Sequence, residues 1–302
     1  MLTKPLGTTS IQLPEVGLGT WSYNGGVEPL RAGFEAGALF VDTAESYGSE
    51  EVVGQALAGV RNRVFLASKV SPENFRPTDL RRAADASLLR LGVDHLDLYQ
   101  LHKPNPAVPI QETMNAMESL VDAGKVRFIG VSNFSVSEMK AAMRALRKCP
   151  LVANQVRYNL ADRTIETELL PFCQANGITV IAYSPLGREW QRILDCDPEG
   201  VLAEIAKSTG KTAAQVALNW CIRQDRVVVI PKSHSINHVR ENCGASGWQL
   251  TPEQRKMLDS RIRFRRRSRW EMGLRGMIPS GLAPMVKRGL ALLPRGLRSR
   301  LR

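Results

Sequence analysis

The feature that most constrains the fold is a regular alternation of short apolar runs with longer amphipathic stretches. From about residue 16 onward, eight runs rich in Val, Ile, Leu and Phe predict strands, and helical patterns separate them. The predicted strands cover 16–20, 39–43, 64–70, 95–101, 126–131, 152–157, 179–183 and 227–231. Near-continuous apolar runs are typical of parallel strands that are buried on both faces. Eight strand–helix units in about 245 residues favour a closed (β/α)8 TIM barrel, an α/β fold, over an open doubly wound sheet.

Local signals mark the helices and the start of the chain. An apolar stripe predicts an amphipathic helix over 78–91, and capping boxes predict three more helix starts. The boxes are Ser135 with Glu138, Thr212 with Gln215 and Thr251 with Gln254. The segment 4–15 predicts a short N-terminal β-hairpin with Gly7 at its turn, which we expect to cap the floor of the barrel.

The excess positive charge is confined to one end of the chain. The formal net charge is +12, yet residues 261–302 carry 13 Lys or Arg and one acid, Glu271, so residues 1–260 are electrically balanced. We therefore predict a barrel domain over 1–260 and a basic C-terminal extension over 261–302. Because its cations alternate with Leu, Val and Met, the extension fits an anionic membrane surface better than nucleic acid, and no nucleic-acid partner is expected. A solvated extension without a partner is the alternative.

Composition excludes several classes. The five cysteines, an odd number, lie far apart without a CxxC pair, so neither a disulfide scaffold nor a metal site is expected. The first residues lack the apolar core of a signal peptide, and no apolar stretch has the length of a membrane span. These observations indicate a cytoplasmic protein, peripheral to a membrane only through its basic extension.

Four polar residues follow successive predicted strands, and together they suit proton transfer. Asp42 lies at the carboxyl end of the second strand, Tyr47 follows five residues later, Lys69 lies near the end of the third strand and His102 follows the fourth. In a barrel, the carboxyl ends of the strands meet at one face, so these side chains should lie together. An ammonium beside a phenol favours the phenolate and lowers the phenol pKa, and a carboxylate keeps the ammonium charged. Such a group could protonate a carbonyl oxygen while a hydride reaches the carbon.

At these positions the sequence resembles the aldo-keto reductase family, over residues 1 to about 258. The matching motifs stand in family order: GLGTW (17–21), FVDTAESYGSE (40–50), LASK (66–69), YQLH (99–102), GKVRFIGVSNFS (124–135), NQVRYN (154–159), IAYSPLG (181–187) and IPKS (230–233). The resemblance implies reduction of an aldehyde or ketone by hydride transfer from NADPH, bound across the barrel mouth. It also implies that Asp42, Tyr47, Lys69 and His102 are catalytic, with Tyr47 as the general acid.

The resemblance further assigns the binding residues. Trp21, with Tyr47 and His102, would contact a small carbonyl substrate. The cofactor-binding positions implied in this chain are Gly19, Thr20, Asp42, Ser132, Asn133, Gln155, Tyr183, Ser184, Pro185, Leu186, Lys232, Ser233, His238, Glu241 and Asn242. Among these, Tyr183 would stack on the nicotinamide ring, and Lys232 with Ser233 would hold the 2′-phosphate.

One departure concerns the cofactor. His238 stands where the family often has an arginine that binds the 2′-phosphate, and a neutral imidazole lacks that fixed cationic fork. Lys232 favours NADP(H), while use of NAD(H) stays open.

Other functions also stay open at this point. The same residues would serve an NAD(P)-dependent sugar or alcohol dehydrogenase that works in the oxidative direction. A non-catalytic, cofactor-binding scaffold subunit and a barrel acting on a phosphorylated substrate are further alternatives. The sequence identifies neither the physiological substrate nor the oligomeric state.

Overall fold

The computed structural model describes residues 1–266, and contacts group Met1–Arg265 into one compact unit. Eight parallel strands form a single sheet in sequential order, with helices between them. These strands are β3 (Leu18–Gly19), β4 (Phe40–Asp42), β5 (Phe65–Val70), β6 (Leu96–Leu101), β7 (Val126–Ser132), β8 (Leu151–Arg157), β9 (Thr179–Tyr183) and β10 (Val227–Ile230). All eight predicted strands are confirmed, with ends that differ by up to two residues.

The sheet closes on itself. Val16 pairs with Val229 in parallel, the Gly17 N–H donates to the Val229 carbonyl at 2.8 Å, and the Gly19 N–H donates to the Pro231 carbonyl at 3.1 Å. At Gly19, a Cβ would lie 2.6 Å from the Ile230 carbonyl oxygen, so only glycine fits where the strands meet. The (β/α)8 TIM barrel predicted from the sequence is therefore confirmed.

The predicted N-terminal hairpin is also confirmed, as β1 (Thr3–Pro5) paired antiparallel with β2 (Gln12–Pro14). Gly7 turns the chain with φ +58°. Leu6 and Leu13 are fully buried in one cluster with interior residues of the barrel such as Leu98 and Val152. The hairpin thus closes the floor of the barrel, at the end opposite the strand carboxyl termini.

Helices surround the barrel and bury one face each against the strands. They are α1 (Glu28–Glu35), α2 (Glu50–Leu57), α3 (Pro77–Leu91), α4 (Ile110–Asp122), α5 (Val136–Ala145), α6 (Leu169–Ala175), α7 (Gln191–Leu194), α8 (Val201–Thr209), α9 (Ala213–Ile222), α10 (Ile236–Cys243) and α11 (Pro252–Arg261). All three predicted capping boxes form, at the starts of α5, α9 and α11.

Within residues 1–266, none of the helices has both the length and the hydropathy that a membrane span requires. The predicted basic extension over 261–302, and with it the predicted membrane contact, lies outside the described residues from 267 onward. The predicted domain boundary near residue 260 stays a prediction.

Candidate active site

The four polar residues predicted at the carboxyl ends of strands meet at one mouth of the barrel. Asp42 is the last residue of β4, and Tyr47 ends the short 3-10 turn Glu45–Tyr47 that follows. Lys69 is the penultimate residue of β5, and His102 comes directly after β6. Parallel pairing brings these strand ends side by side, as the sequence predicts.

A buried ion pair lies at the centre of this group. Lys69 Nζ donates to Asp42 Oδ2 at 2.6 Å and to the Thr43 carbonyl at 2.8 Å, and neither charged side chain is more than 2% exposed. The other Asp42 oxygen, Oδ1, accepts from Gln155 Nε2 at 2.7 Å and from Gln100 Nε2 at 3.2 Å. Because a buried charge is costly unless it is paired and hydrogen-bonded, these contacts offset the cost of burying the two side chains.

Tyr47 lies between this pair and His102. Lys69 Nζ is 4.7 Å from the centroid of the Tyr47 ring, and the Tyr47 hydroxyl is 3.4 Å from His102 Nε2. On the far side of the imidazole, Nδ1 lies 3.5 Å from the Ser46 hydroxyl. The phenol oxygen therefore has an ammonium behind it and a neutral hydrogen-bonding ring beside it.

The electrostatics correct one prediction. Burial raises the pKa of Tyr47 above its ordinary value, and the charge of Lys69 acts in the opposite direction without reversing the shift. The lowered phenol pKa predicted from the sequence is therefore wrong in its net direction, because desolvation outweighs the ammonium. For Lys69 the balance is the reverse: burial is the largest single effect and acts against the charge, but Asp42 and Tyr47 together outweigh it and raise the pKa of Lys69.

His102 is held neutral. Burial, together with the charge of Lys69, lowers the pKa of His102 to about 3. At neutral pH the ring therefore carries one N–H and one acceptor nitrogen, and it can position an oxygen atom without adding a charge.

A second group of predicted residues adjoins the first. The Tyr183 hydroxyl donates to Asn133 Oδ1 at 2.9 Å, and Asn133 Nδ2 donates to the Ser132 hydroxyl and to the His102 carbonyl. The Ser132 hydroxyl donates to the Gln155 carbonyl at 2.9 Å. The structure thus brings four of the predicted cofactor-binding residues together beside the buried ion pair.

Strained backbone is concentrated at this mouth. Ser22, Asn133 and Ser184, which follow β3, β7 and β9, have φ values of +51°, +63° and +49°. A positive φ is uncommon for a residue other than glycine, and it persists where the surrounding structure enforces it. The predicted binding positions Asn133 and Ser184 are among these three residues.

A third group lies after β10. Lys232 Nζ is 2.9 Å from His234 Nε2, and the Asn24 N–H points at His234 Nδ1 at 3.3 Å. The His234 ring stacks on Tyr23, with centroids 5.4 Å apart. Ser233 caps the following turn by accepting from the Ser235 N–H at 3.0 Å. The predicted phosphate residues Lys232 and Ser233 are thereby linked, through His234, to the loop after β3.

The remaining predicted residues are divided between scaffold and surface. Gly19 and Thr20 are buried, and the Thr20 hydroxyl donates to the Asp42 carbonyl at 2.9 Å. Pro185 is buried, and Leu186 is half-buried against the core. Trp21 is half exposed at the mouth.

Three more of the predicted cofactor-binding residues lie apart from the buried ion pair, on α10. There His238 is exposed, Glu241 is half-buried and Asn242 is buried. Among the hydrogen bonds of residues 1–266, none joins these three side chains to the Asp42–Lys69 pair.

Four further residues at the mouth escaped the sequence reasoning. Gln100 lies on β6 two residues before His102, and Arg157 lies on β8 two residues after Gln155. Because side chains two residues apart on a strand point to the same side, this spacing could have identified both residues. His234 and Arg188 lie in loops, which have no regular periodicity from which the direction of a side chain could be predicted.

Comparison with known proteins assigns the chain to a family. The Aldo/keto reductase family model matches residues 15–263, which is most of the chain. The chain belongs to the aldo/keto reductase family and is an oxidoreductase, as the sequence motifs indicate.

Individual relatives agree with this assignment. The chain is 41% identical to the methylglyoxal reductase YeaE of Escherichia coli over 260 residues, which cover 82% of this chain and 91% of the relative. It is similar to an aldo/keto reductase from Klebsiella pneumoniae in complex with NADP and acetate, with a TM-score of 0.81, 39% identity and coverage of 88% and 97%. The thermostable aldo-keto reductase Tm1743, solved with the inhibitor epalrestat, matches at a TM-score of 0.81, 40% identity and coverage of 86% and 99%.

Proposed function

We propose that this protein is a carbonyl reductase that uses NADPH to reduce an aldehyde or ketone, with Tyr47 as the general acid. The observation that carries the proposal is the position of the Tyr47 hydroxyl, 3.4 Å from His102 Nε2 and beside the buried Lys69–Asp42 pair. Family membership and the NADP-bound neighbour support the reaction class. The role of each residue rests on the geometry.

The residues at the mouth fit a nicotinamide cofactor. The amide groups of Asn133 and Gln155 and the hydroxyl of Ser132 offer the donors and acceptors that a carboxamide requires, and Tyr183 offers an aromatic face. Both N–H bonds of the Gln155 amide point at Asp42 and Gln100, so its Oε1 is the atom left to accept. When bound, NADPH would supply the hydride that reduces the carbonyl carbon.

The chain itself supplies and controls the proton. A carbonyl oxygen placed between Tyr47 and the neutral His102 would accept a hydrogen bond from each, and the phenol proton would transfer as negative charge develops on that oxygen. Lys69 stabilises the phenolate that forms, and Asp42 keeps Lys69 charged. Because burial raises the pKa of Tyr47, the phenol holds its proton until this moment.

The pH dependence follows from these shifts. Tyr47 acts while protonated, so a raised pKa preserves activity as the pH rises, and we expect kcat/KM to fall only above the ordinary phenol value of 10.0. His102, with a pKa of about 3, should contribute no acid limb at higher pH. The measurement is kcat/KM for an uncharged aldehyde from about pH 5 to about pH 11. An acid limb near neutrality that disappears in His102→Gln would contradict this account.

The group after β10 fits a phosphate. A neutral imidazole can accept a hydrogen bond at only one of its two nitrogens. The Asn24 N–H points at Nδ1 of His234 and the Lys232 ammonium lies against Nε2, so a donor faces each nitrogen. A phosphate next to Lys232 resolves this conflict, because Nε2–H and Nζ would then both donate to its oxygens. This donor set suits the 2′-phosphate of NADP(H).

We therefore expect Lys232→Met to weaken NADP+ binding by about tenfold to a hundredfold, the usual loss for one charge-assisted hydrogen bond. Binding of NAD+, which lacks the 2′-phosphate, should stay within about twofold. Isothermal titration gives both dissociation constants. Lys125→Met, which removes a lysine at the opposite end of the barrel, is the matched control. Equal or tighter binding of NAD+ by the wild-type chain would discard the preference for NADP(H).

The direct test of the reaction is to incubate the purified chain with NADPH and a series of aldehydes. The series includes methylglyoxal, after which the relative YeaE is named. The proposal expects one alcohol formed for each NADPH consumed. NADPH binding without consumption across the series would favour the scaffold alternative.

A further inference from the structure

Two arginines converge on the aromatic residues of the mouth. Arg157 is the last residue of β8 and pairs in register with Tyr183, and its guanidinium carbon lies 5.7 Å from the centroid of the Tyr183 ring. Arg188, in the loop after β9, places its guanidinium carbon 5.1 Å from the centroid of Trp21. Tyr183 and Trp21 are the residues proposed above to contact the nicotinamide and the substrate.

Neither guanidinium has an acidic partner within residues 1–266. The ion pairs of that part of the chain include neither arginine, and the nearby Glu189 pairs instead with Arg192 at 3.4 Å. Among the same described residues, Arg157 Nε is buried and has no hydrogen-bond partner. An unsatisfied buried donor is costly, and a native structure usually retains one where a ligand or water completes it.

The two charges also act on each other. Burial, and next the positive charge of Arg157, lowers the pKa of Arg188, with a further contribution from Arg192. Placing like charges together in a partly buried site is unfavourable unless an anion joins them. Guanidinium groups bind carboxylates and phosphates through paired N–H donors, and they also stack on aromatic faces.

We propose that Arg157 and Arg188 form an oxyanion site at the barrel mouth, which selects carbonyl substrates that also carry a carboxylate or phosphate group. The inference rests on the proposed reductase function and names the substrate class of the same site. The aldehyde carbon would lie at Tyr47 and His102, and the anionic end of the substrate would reach outward to the arginines. Neutral aldehydes would still be reduced, but without this binding contribution.

Matched substrate pairs test the proposal. The pairs are 4-carboxybenzaldehyde with its methyl ester, and glyceraldehyde 3-phosphate with glyceraldehyde. We expect the wild-type kcat/KM to be about tenfold or more higher for the anionic member of at least one pair. The pair that shows this preference indicates whether the site binds a carboxylate or a phosphate. Arg188→Gln and Arg157→Gln should each remove most of that preference while the neutral members change by less than about twofold. Arg82→Gln, which removes an exposed charge on α3, is the control for net charge.

A binding measurement separates the substrate from the cofactor. NADP+ titrations of the wild type and both arginine variants should give dissociation constants within about twofold of each other. If NADP+ binding weakens and both members of each pair lose activity equally, the arginines bind the cofactor pyrophosphate, and the proposal is overturned. Equal wild-type rates for anionic and neutral members also overturn it. If no member of either pair is reduced, the proposed reductase function fails. The oxyanion site is tested separately with terephthalate, a dicarboxylate analogue of 4-carboxybenzaldehyde. If terephthalate binds the arginine variants as tightly as the wild type, the oxyanion site is refuted.

Discussion

Replacing Tyr47 with Phe is expected to lower kcat for aldehyde reduction by about 10³-fold to 10⁴-fold, while the barrel stays folded and NADP+ still binds. The substitution removes one oxygen atom, the Tyr47 hydroxyl, which lies 3.4 Å from His102 Nε2. This hydroxyl is the proton donor proposed above, and the Lys69 ammonium lies beside its ring. The aromatic ring, and with it the contact to Lys69, is retained. Steady-state kinetics with NADPH and an uncharged aldehyde measure the loss.

A matched control is available on the same barrel. Tyr158 is also buried, and its hydroxyl donates to Glu166 at 2.9 Å. Tyr158→Phe removes a buried phenol oxygen without touching the mouth, so we expect kcat to change by less than about twofold. If Tyr47→Phe retained wild-type activity, the proton would come from another group and the proposed role of Tyr47 would be wrong.

The second large effect concerns the buried pair. We expect Lys69→Met to lower the free energy of unfolding by about 3–5 kcal/mol, because it leaves the buried Asp42 carboxylate without its cationic partner, with the amides of Gln100 and Gln155 as its remaining partners among the described residues. Activity should fall by at least about 10²-fold, since the phenolate of Tyr47 then loses its stabilising charge. Urea denaturation and kcat on the same preparations measure both quantities.

A double substitution separates stability from chemistry. Asp42→Asn combined with Lys69→Met removes both charges, so much of the lost stability should return because no buried charge is left unpaired. Activity should not return, since the ammonium beside Tyr47 is still absent. Recovery of activity together with stability would show that the pair serves only to hold the fold.

Much of the architecture could be predicted from the sequence, because each strand is a short apolar run that is buried on both faces. The strand β5 (Phe65–Val70) shows this, since it stands in the sequence as FLASKV with its lysine at the mouth. The capping boxes of α5, α9 and α11 could likewise be predicted, because a cap is a local interaction between residues three positions apart.

The site was only partly predictable, because its balance of forces depends on burial and on loops. The sequence places an ammonium near Tyr47, but only the structure shows that desolvation outweighs it and raises the pKa of Tyr47. The positive φ angles of Ser22 and Ser184 occur at residues other than glycine, so the residue type did not mark them. Arg188 stands in an irregular loop, so its approach to Trp21 could not be derived from periodicity.

The central claim is that the phenol of Tyr47 delivers the proton during hydride transfer at this mouth. Single-turnover mixing of an aldehyde with enzyme saturated by NADPH tests it most directly, since it observes the chemical step without product release. We predict rapid loss of NADPH absorbance in the wild type and a rate lower by at least about 10³-fold in Tyr47→Phe. Equal single-turnover rates in the two proteins would contradict it.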